Sequence, residues 1–106
     1  MGCNKVYLGT ELKMNINIKP VENLTMDDYD FVCTAFCSNS KKVEATKQEC
    51  NRIDADNYIF RVDTEKTGPG VLKIKVVAYI PDTDFPDSLR TEVSLVNTGI
   101  IVERIQ

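Results

Sequence analysis

The chain has 106 residues, of which 42% are hydrophobic and 27% charged, and this composition is typical of a single small folded domain. It contains no histidine and no tryptophan, so histidine-based acid–base catalysis, histidine-activated nucleophiles and histidine metal ligands are excluded. The formal net charge is -3 and Lys41-Lys42 is the one adjacent cationic pair, which disfavours a nucleic-acid partner.

The N-terminal residues leave two cellular locations open. No apolar run approaches the roughly 18 to 20 residues of a membrane-spanning helix, and the N-terminus lacks the apolar core of a secretory signal. We therefore expect a soluble protein that is not exported and has no membrane partner. The alternative is a lipoprotein whose mature chain begins near Met1-Gly2-Cys3, in which case a lipid on Cys3 would hold the protein at the cell surface.

Alternation of apolar and polar residues predicts strands along the first half of the chain. The clearest example is Leu12–Lys19, where every second residue is apolar. Residues 21–30 lack this alternation and are rich in Asp and Asn, so we expect a connection between two sheets, with Thr25 capping one helical turn. The strand Phe31–Ser38 is apolar on both faces, which favours a central position in its sheet.

The remaining segments predict further strands separated by turns. Lys41–Lys47 and Glu49–Ile53 are polar, as expected for sheet edges. In Val71–Ile80 every second residue, from Leu72 to Ile80, is apolar and predicted to be buried. The opposite face of that strand changes from lysine to Val77 and Tyr79. The other predicted strands are Tyr58–Val62, Leu89–Val96 and Ile100–Ile105, with a turn at Asn97-Thr98-Gly99 between the last two.

Seven to eight short strands in about 100 residues predict an antiparallel immunoglobulin-like β-sandwich, with a small barrel as the alternative. The Cys-Trp-Cys core of antibody domains is missing. No internal repeat or linker divides the chain, so residues 1–106 are predicted to form one domain.

Four cysteines, at positions 3, 33, 37 and 50, raise the question of disulfides or a zinc site. Cys33 and Cys37 lie on one predicted strand with their Cα atoms roughly 13 Å apart, which is too far for a disulfide. We expect the cysteines to be small apolar residues in the core of a reduced protein. A pairing of Cys50 with Cys33 or Cys37 across neighbouring strands stays open.

The loop that follows the longest predicted strand has an unusual composition, with Asp82, Asp84 and Asp87 around Phe85 and between two prolines. Three carboxylates in a short loop are a weak calcium candidate. The alternative is an Asx-rich turn in which the carboxylates cap backbone N–H groups and Phe85 closes the end of the sandwich. We predict that Arg90 braces this loop through a buried ion pair with Asp84 or Asp87.

Two further motifs are typical of catalysis, but neither fits its context. Thr67-Gly68-Pro69-Gly70 is followed by a predicted strand, whereas a phosphate-binding loop opens a helix. Paired carboxylates also suggest glycoside hydrolysis, but so small a domain leaves little room for a sugar cleft. We therefore expect no enzyme activity, no cofactor and no resident metal.

Several framework and turn motifs resemble small uncharacterised proteins encoded by phages and prophages of gut Bacteroides. The motifs are Leu8-Gly9-Thr10-Glu11-Leu12-Lys13, Asp28-Tyr29-Asp30-Phe31, Val62-Asp63-Thr64, Gly68-Pro69-Gly70, Tyr79-Ile80-Pro81-Asp82, Arg90-Thr91-Glu92-Val93 and Asn97-Thr98-Gly99-Ile100. The order of elements is also similar to that of Ig-like modules in phage baseplate and fibre proteins. This second similarity is an architectural analogy.

The resemblance implies a virion structural or assembly protein that engages other copies of itself or other virion proteins. Such a protein would be made in the host cytoplasm and then enter the virion. Val77, Tyr79 and Phe85 are the predicted contact residues, because apolar side chains on an outer face or a loop mark interaction sites. The second hypothesis is an adhesion module of a bacterial surface lipoprotein, anchored through Cys3.

Overall fold

The computed structural model describes residues 4–18, 24–38 and 41–104, and this part of the chain is mostly β-strand. One helical turn, α1 (Thr64–Thr67), precedes the seventh strand, and 3-10 turns occupy Met26–Asp28, Lys47–Glu49 and Pro86–Ser88. The strands in chain order are β1 (Asn4–Tyr7), β2 (Glu11–Ile16), β3 (Asp30–Ser38), β4 (Lys41–Thr46), β5 (Asn51–Asp54), β6 (Asn57–Asp63), β7 (Gly70–Pro81) and β8 (Leu89–Glu103).

The strands form two separate sheets, one of five strands in the order β1-β8-β7-β3-β4 and one of three in the order β2-β6-β5. Neighbouring strands are antiparallel, except that β1 runs parallel to β8. The five-stranded sheet is therefore mixed, and the prediction of a purely antiparallel fold is wrong for β1. β1 was not predicted from the sequence, because Asn4–Tyr7 is only four residues long and joins the sheet through a partner almost a hundred residues away.

Buried side chains from both sheets form one hydrophobic core. The predicted inner face of β7 is confirmed, because Leu72, Ile74, Val76, Ala78 and Ile80 are all buried. The three-stranded sheet contributes Phe60 and Val62 of β6, and β3 contributes Phe31. The ring of Phe31 meets Tyr58 of β6 edge to face, with 5.2 Å between the ring centroids, so this aromatic pair joins the two sheets.

The positions of the polar and apolar strands agree with the sequence pattern. β3 lies between β7 and β4, whereas β4 and β5 lie at sheet edges, as predicted. The connection between β2 and β3 passes from one sheet to the other, also as predicted. Thr25 is the N-cap of its 3-10 turn, and its backbone N–H donates to the Asp28 carboxylate at 2.8 Å. Met26, in the same turn, is fully buried and anchors the connection in the core.

β8 is one continuous strand of fifteen residues, and the turn predicted at Asn97-Thr98-Gly99 is a bulge within it. Val71 pairs with Ile101 and Lys73 with Asn97, so two extra residues of β8 are accommodated here. Gly99 has φ +77°, a conformation that favours glycine. The Thr98 hydroxyl donates to the carbonyl of Leu72 at 2.8 Å and holds the bulge against β7. Asn97-Thr98-Gly99 therefore does not reverse the direction of the chain. It forms a bulge that bends β8.

The molecule is elongated, with principal extents of 53 × 27 × 27 Å. A strand of fifteen residues is about 50 Å long, so β8 runs along almost the whole long axis.

Two isoleucines provide a matched test of this core. Ile80 is fully buried, whereas Ile53 is 59% exposed. Ile80→Ala is expected to lower the free energy of unfolding by about 2 to 5 kcal/mol, because it leaves a cavity between the sheets. Ile53→Ala is expected to change it by less than about 0.5 kcal/mol. Chemical denaturation of both variants measures the difference, and equal effects would contradict the assigned core.

Candidate interaction surface

Among the residues that the structure describes, one side of β8 has no neighbouring strand over most of its length. β1 pairs with β8 only from Ile100 to Glu103. In the described chain, Leu89–Asn97 pairs with β7 alone, and we call this segment the β8 free edge. An unpaired strand offers a row of backbone N–H and C=O groups to another strand.

The β8 free edge is also the most apolar exposed part of the described structure. Val93 is 60% exposed, Leu95 62% and Val96 52%, and Leu89 at the start of the strand is half exposed. Val93 and Leu95 project from the outer face of the sheet, while Val96 projects from the inner face. Apolar side chains on both faces of one edge are unusual for a surface that contacts only water.

The strand predicted at Leu89–Val96 is present, but its exposure was not predicted. Leu89, Thr91, Val93 and Leu95 alternate with charged or polar residues, which predicts a strand without showing which face is covered. The missed signal is the run Val93-Ser94-Leu95-Val96, where the alternation breaks and apolar residues occupy both faces.

A cleft of about 590 Å³ lies between the β8 free edge and the edge strand β2. Its apolar lining includes Met14 and Ile16 of β2, Ile18 just after that strand, and Ile74, Val76 and Val96 from the five-stranded sheet. The two sheets are therefore separated on this side, and Val96 lies at the opening. A second depression, of about 620 Å³, is lined by β2, β4 and β6 and carries charged residues of both signs, among them Glu11, Lys13, Glu44, Arg61 and Lys66.

The predicted contact residues lie on the same hairpin but not at one point. Val77 and Tyr79 share the outer face of β7, where they lie opposite Val93 and Thr91 of β8. Tyr79 is 38% exposed and Val77 is partly covered. Phe85 is in the loop at the hairpin end and is 45% exposed, so it does not close the end of the core. Val77, Tyr79 and Val93 together form an apolar outer strip, which shares Val93 with the β8 free edge.

The acidic loop is a compact turn. Asp82 donates its backbone N–H to the carbonyl of Ser88 at 2.9 Å, and its carboxylate accepts the N–H of Asp84 at 3.0 Å. The predicted Asx-type capping is therefore present at Asp82. Asp87 and Ser88 have φ of 62° and 56°, respectively, which turns the chain into β8.

The arginine predicted to brace this loop has different partners from those expected. Arg90 Nε lies 3.2 Å from Asp82 Oδ2, and Arg90 Nη1 donates to Glu92 Oε2 at 2.8 Å. The side chains of Arg90 and Asp82 are 29% and 27% exposed. Asp82 lies directly beside the start of β8, because its backbone N–H donates to the carbonyl of Ser88, and this places its carboxylate within reach of Arg90. The bracing role of Arg90 stays a prediction.

The calcium alternative is not supported by the geometry. Within residues 4–18, 24–38 and 41–104, no three Asp, Glu, Cys or His side chains lie close enough together to hold a metal ion. Asp82, Asp84 and Asp87 are therefore not brought together as ligands.

A polar cluster around Asp27 fixes the connection between the sheets. The Asp27 carboxylate accepts hydrogen bonds from Arg52 of β5 at 2.7 Å and from the Tyr58 hydroxyl at 2.5 Å. These bonds lower the pKa of Asp27 from 3.8 to about 2. Lys47 Nζ donates to the carbonyls of Asp27 and Tyr29 at 3.0 and 2.9 Å. This cluster fastens the connection to the three-stranded sheet and to the turn before β5.

The cysteines of the described chain are free thiols in two settings. Cys33 and Cys50 are both buried. Interaction with the Cys50 thiol, together with burial, raises the pKa of Cys33, so Cys33 remains a protonated thiol at neutral pH. Cys37 is partly buried and lies 3.6 Å from the Thr67 hydroxyl. The alternative disulfide of Cys50 is not formed, and Cys3 lies outside the described residues.

Comparisons of the chain with protein-family models, with curated proteins and with solved structures gave no match. The resemblance to phage and prophage proteins therefore stays a prediction. Among the described residues, no helix has the length and apolar character needed to cross a membrane.

Removing the Arg90 side chain tests its role as a brace. Arg90→Ala is expected to lower the free energy of unfolding by about 1 kcal/mol or less, because its ion pairs are only partly buried. Amide hydrogen exchange in residues 82–88 is expected to become faster, since the loop loses its contact with β8. Exchange unchanged in this loop would show that Arg90 does not hold it. Arg61→Ala, an exposed arginine of β6, is the matched control.

The Asp27 cluster predicts a pH dependence of stability. The carboxyl group of Asp27 binds its proton less tightly in the folded state than in the unfolded chain, because its pKa falls from 3.8 to about 2 on folding. The stabilisation is therefore complete above pH 3.8 and is lost as the pH falls towards 2. Denaturation of wild type and Asp27→Asn should show a stability difference at neutral pH that narrows over this range. Glu65→Gln, which removes an exposed carboxylate outside the cluster, should show no such narrowing.

Proposed function

We propose that this chain is a non-enzymatic protein-interaction module with an Ig-like β-sandwich fold, and that it serves as a structural or assembly component of a phage or prophage virion. The observation that carries the proposal is the apolar surface formed by the outer strip and the β8 free edge. Its partners are proteins, either other copies of the chain or other components of a tail, baseplate or head fibre. The protein is made in the host cytoplasm and then incorporated into the particle.

The strand order supports the Ig-like assignment. In Ig domains one sheet contains strands C, F and G, with C′ added at its edge in variable-type domains, and the other contains B, E and D. Here β3, β7 and β8 correspond to C, F and G, β4 to C′, and β2, β6 and β5 to B, E and D. β1 then corresponds to a first strand that pairs with G instead of B. The chain lacks the Cys-Trp-Cys core, and the aromatic contact of Phe31 with Tyr58 lies between its sheets instead.

The exposed surface supports an interaction role on energetic grounds. Exposed apolar area is unfavourable in water by about 25 cal/mol per Å², and burying it against a partner recovers this energy. Several partly exposed aliphatic side chains on one strand, beside unpaired backbone groups, provide both apolar contacts and hydrogen bonds for a partner strand. Virion proteins remain assembled with their partners, so such a surface would be covered in the particle.

Purified virions provide the direct test. Mass spectrometry of gradient-purified particles is expected to detect the chain, and deletion of its gene should lower the yield of intact particles. Complementation with Ile53→Lys should restore the yield, because Ile53 is an exposed residue away from the strip, whereas Val93→Lys should not. Absence of the chain from virions, together with an unchanged yield in the deletion strain, would contradict the proposal.

The same strain distinguishes the lipoprotein alternative. Lipidation would attach a fatty acyl group at Cys3, so labelling with a fatty-acid probe and its loss in Cys3→Ser would identify an anchored surface protein. The virion proposal predicts no labelling.

A further inference from the structure

We propose that the β8 free edge is a homodimer interface, in which β8 of one copy pairs antiparallel with β8 of a second copy and joins the two five-stranded sheets into one. This inference deepens the proposed function by naming the partner and the contact. The backbone, the side chains and the charges of the edge each support it.

The free edge has two definite ends, which fix how much of it a partner strand can cover. At one end β1 begins to pair at Ile100, just after the bulge that contains Gly99. At the other end the positive φ angles of Asp87 and Ser88 turn the chain away from β8. The nine residues Leu89–Asn97 between them span about 30 Å. Two copies of this segment pair over their whole length when Val93 faces its own equivalent.

This register is compatible with the side chains on both faces. Val93 meets the partner's Val93, while Leu95 lies opposite the partner's Thr91 on the same outer face. The exposed apolar side chains of the two copies then become neighbours, beside Tyr79 of each hairpin. On the inner face, Val96 lies opposite the partner's Arg90, whose aliphatic stem is apolar. A two-fold axis through Val93 generates all these contacts in duplicate.

Charge also favours pairing of this edge with itself. The free edge carries Arg90 and Glu92, so it has no net charge although the whole chain has a net charge of -3. With Val93 at the axis, Glu92 faces Ser94 and Arg90 faces Val96, so no like charges are opposed. A register centred on Glu92 would place two carboxylates opposite each other, which is unfavourable.

The other sheet edges carry charges that discourage the same pairing. The outer edge β4 contains Lys41, Lys42 and Glu44, and β5 contains Arg52 and Asp54. β2 contains Glu11 and Lys13, and β1, the edge strand beside β8 from Ile100 onwards, contains Lys5. Charged side chains on edge strands are a common device against sheet-to-sheet association. From Thr91 to Asn97 the free edge has only Glu92, which is already paired with Arg90, so β8 is the edge left open to a second copy.

The oligomeric states of wild type and of variants at Val93 test both the dimer and its register. Wild type is expected to approach twice the mass of one chain in sedimentation equilibrium as its concentration rises. Val93→Lys and Val93→Glu should each be monomeric, because each places two like charges opposite each other at the axis. An equimolar mixture of the two variants should dimerise again, since lysine then faces glutamate. Ile53→Lys, at a residue equally exposed, should dimerise like wild type.

A measurement on the unmodified protein accompanies the variants. Amide hydrogen exchange of residues 89–97 should slow as the concentration rises, while exchange in β4 and β5 stays constant. A monomeric wild type at every concentration, dimeric Val93→Lys, or dissociation by Ile53→Lys would overturn the dimer. A monomer that is nevertheless found in virions would refute this inference and leave the proposed function in place, with the strip contacting another virion protein. Absence from virions would refute the proposed function even where the dimer forms.

Discussion

β7 pairs with β8 from Gly70 to Pro81, and its middle part, Lys73–Tyr79, also pairs on the other side with β3. Its alternate side chains fill the centre of the core, so one strand provides both the hydrogen-bonded middle of the five-stranded sheet and the apolar wall against β6. β8 depends on this pairing, because over most of its length β7 is its single neighbour in the described chain. The free edge and the cleft beside it both follow from the way β8 extends along β7 without a second neighbour among the described residues.

The three-stranded sheet is attached to the rest of the molecule by polar contacts as well as by the core. It has three strands, and its polar contacts with the connection between β2 and β3 supplement the shared core. Asp27 accepts hydrogen bonds from two strands of this sheet, Arg52 in β5 and Tyr58 in β6. The aromatic ring of Tyr58 contacts Phe31 while its hydroxyl reaches Asp27, so one side chain contributes to both the apolar and the polar attachment.

The sequence was sufficient to predict the features that depend on local periodicity. The buried face of β7, the central place of β3 and the edge positions of β4 and β5 all follow from which side chains favour water. Features that depend on distant partners were not predictable in this way. β1 forms because Asn4–Tyr7 meets the end of β8, and nothing within its four residues encodes that partner. The predicted turn at Asn97–Gly99 is a bulge because β7 holds the residues on both sides of it in one ladder.

The candidate interaction surface was also only partly predictable from the sequence. The composition of residues 81–87 identified an unusual loop, and Asp82 does cap a backbone N–H as predicted. The choice of Asp82 as the partner of Arg90 required the positions of both hairpin strands, since composition does not distinguish three nearby aspartates. Exposure of Val93 and Leu95 was missed for a related reason. Alternation shows that a strand has an apolar face, but only the register with β7 shows that Val93 and Leu95 lie on the face that points away from the core.

The bulge in β8 also determines how changes in chain length would act on the C-terminal part of the sheet. Its two extra residues preserve the alternation of side chains, so that Val96 before it and Val102 after it both project inward. Val102 is almost completely buried beside Gly70 and Val6. Deleting one residue from the bulge would reverse the direction of every later side chain, whereas deleting two would keep their phase. At the bulge, whether the number of deleted residues is odd or even therefore matters more than how many residues are deleted.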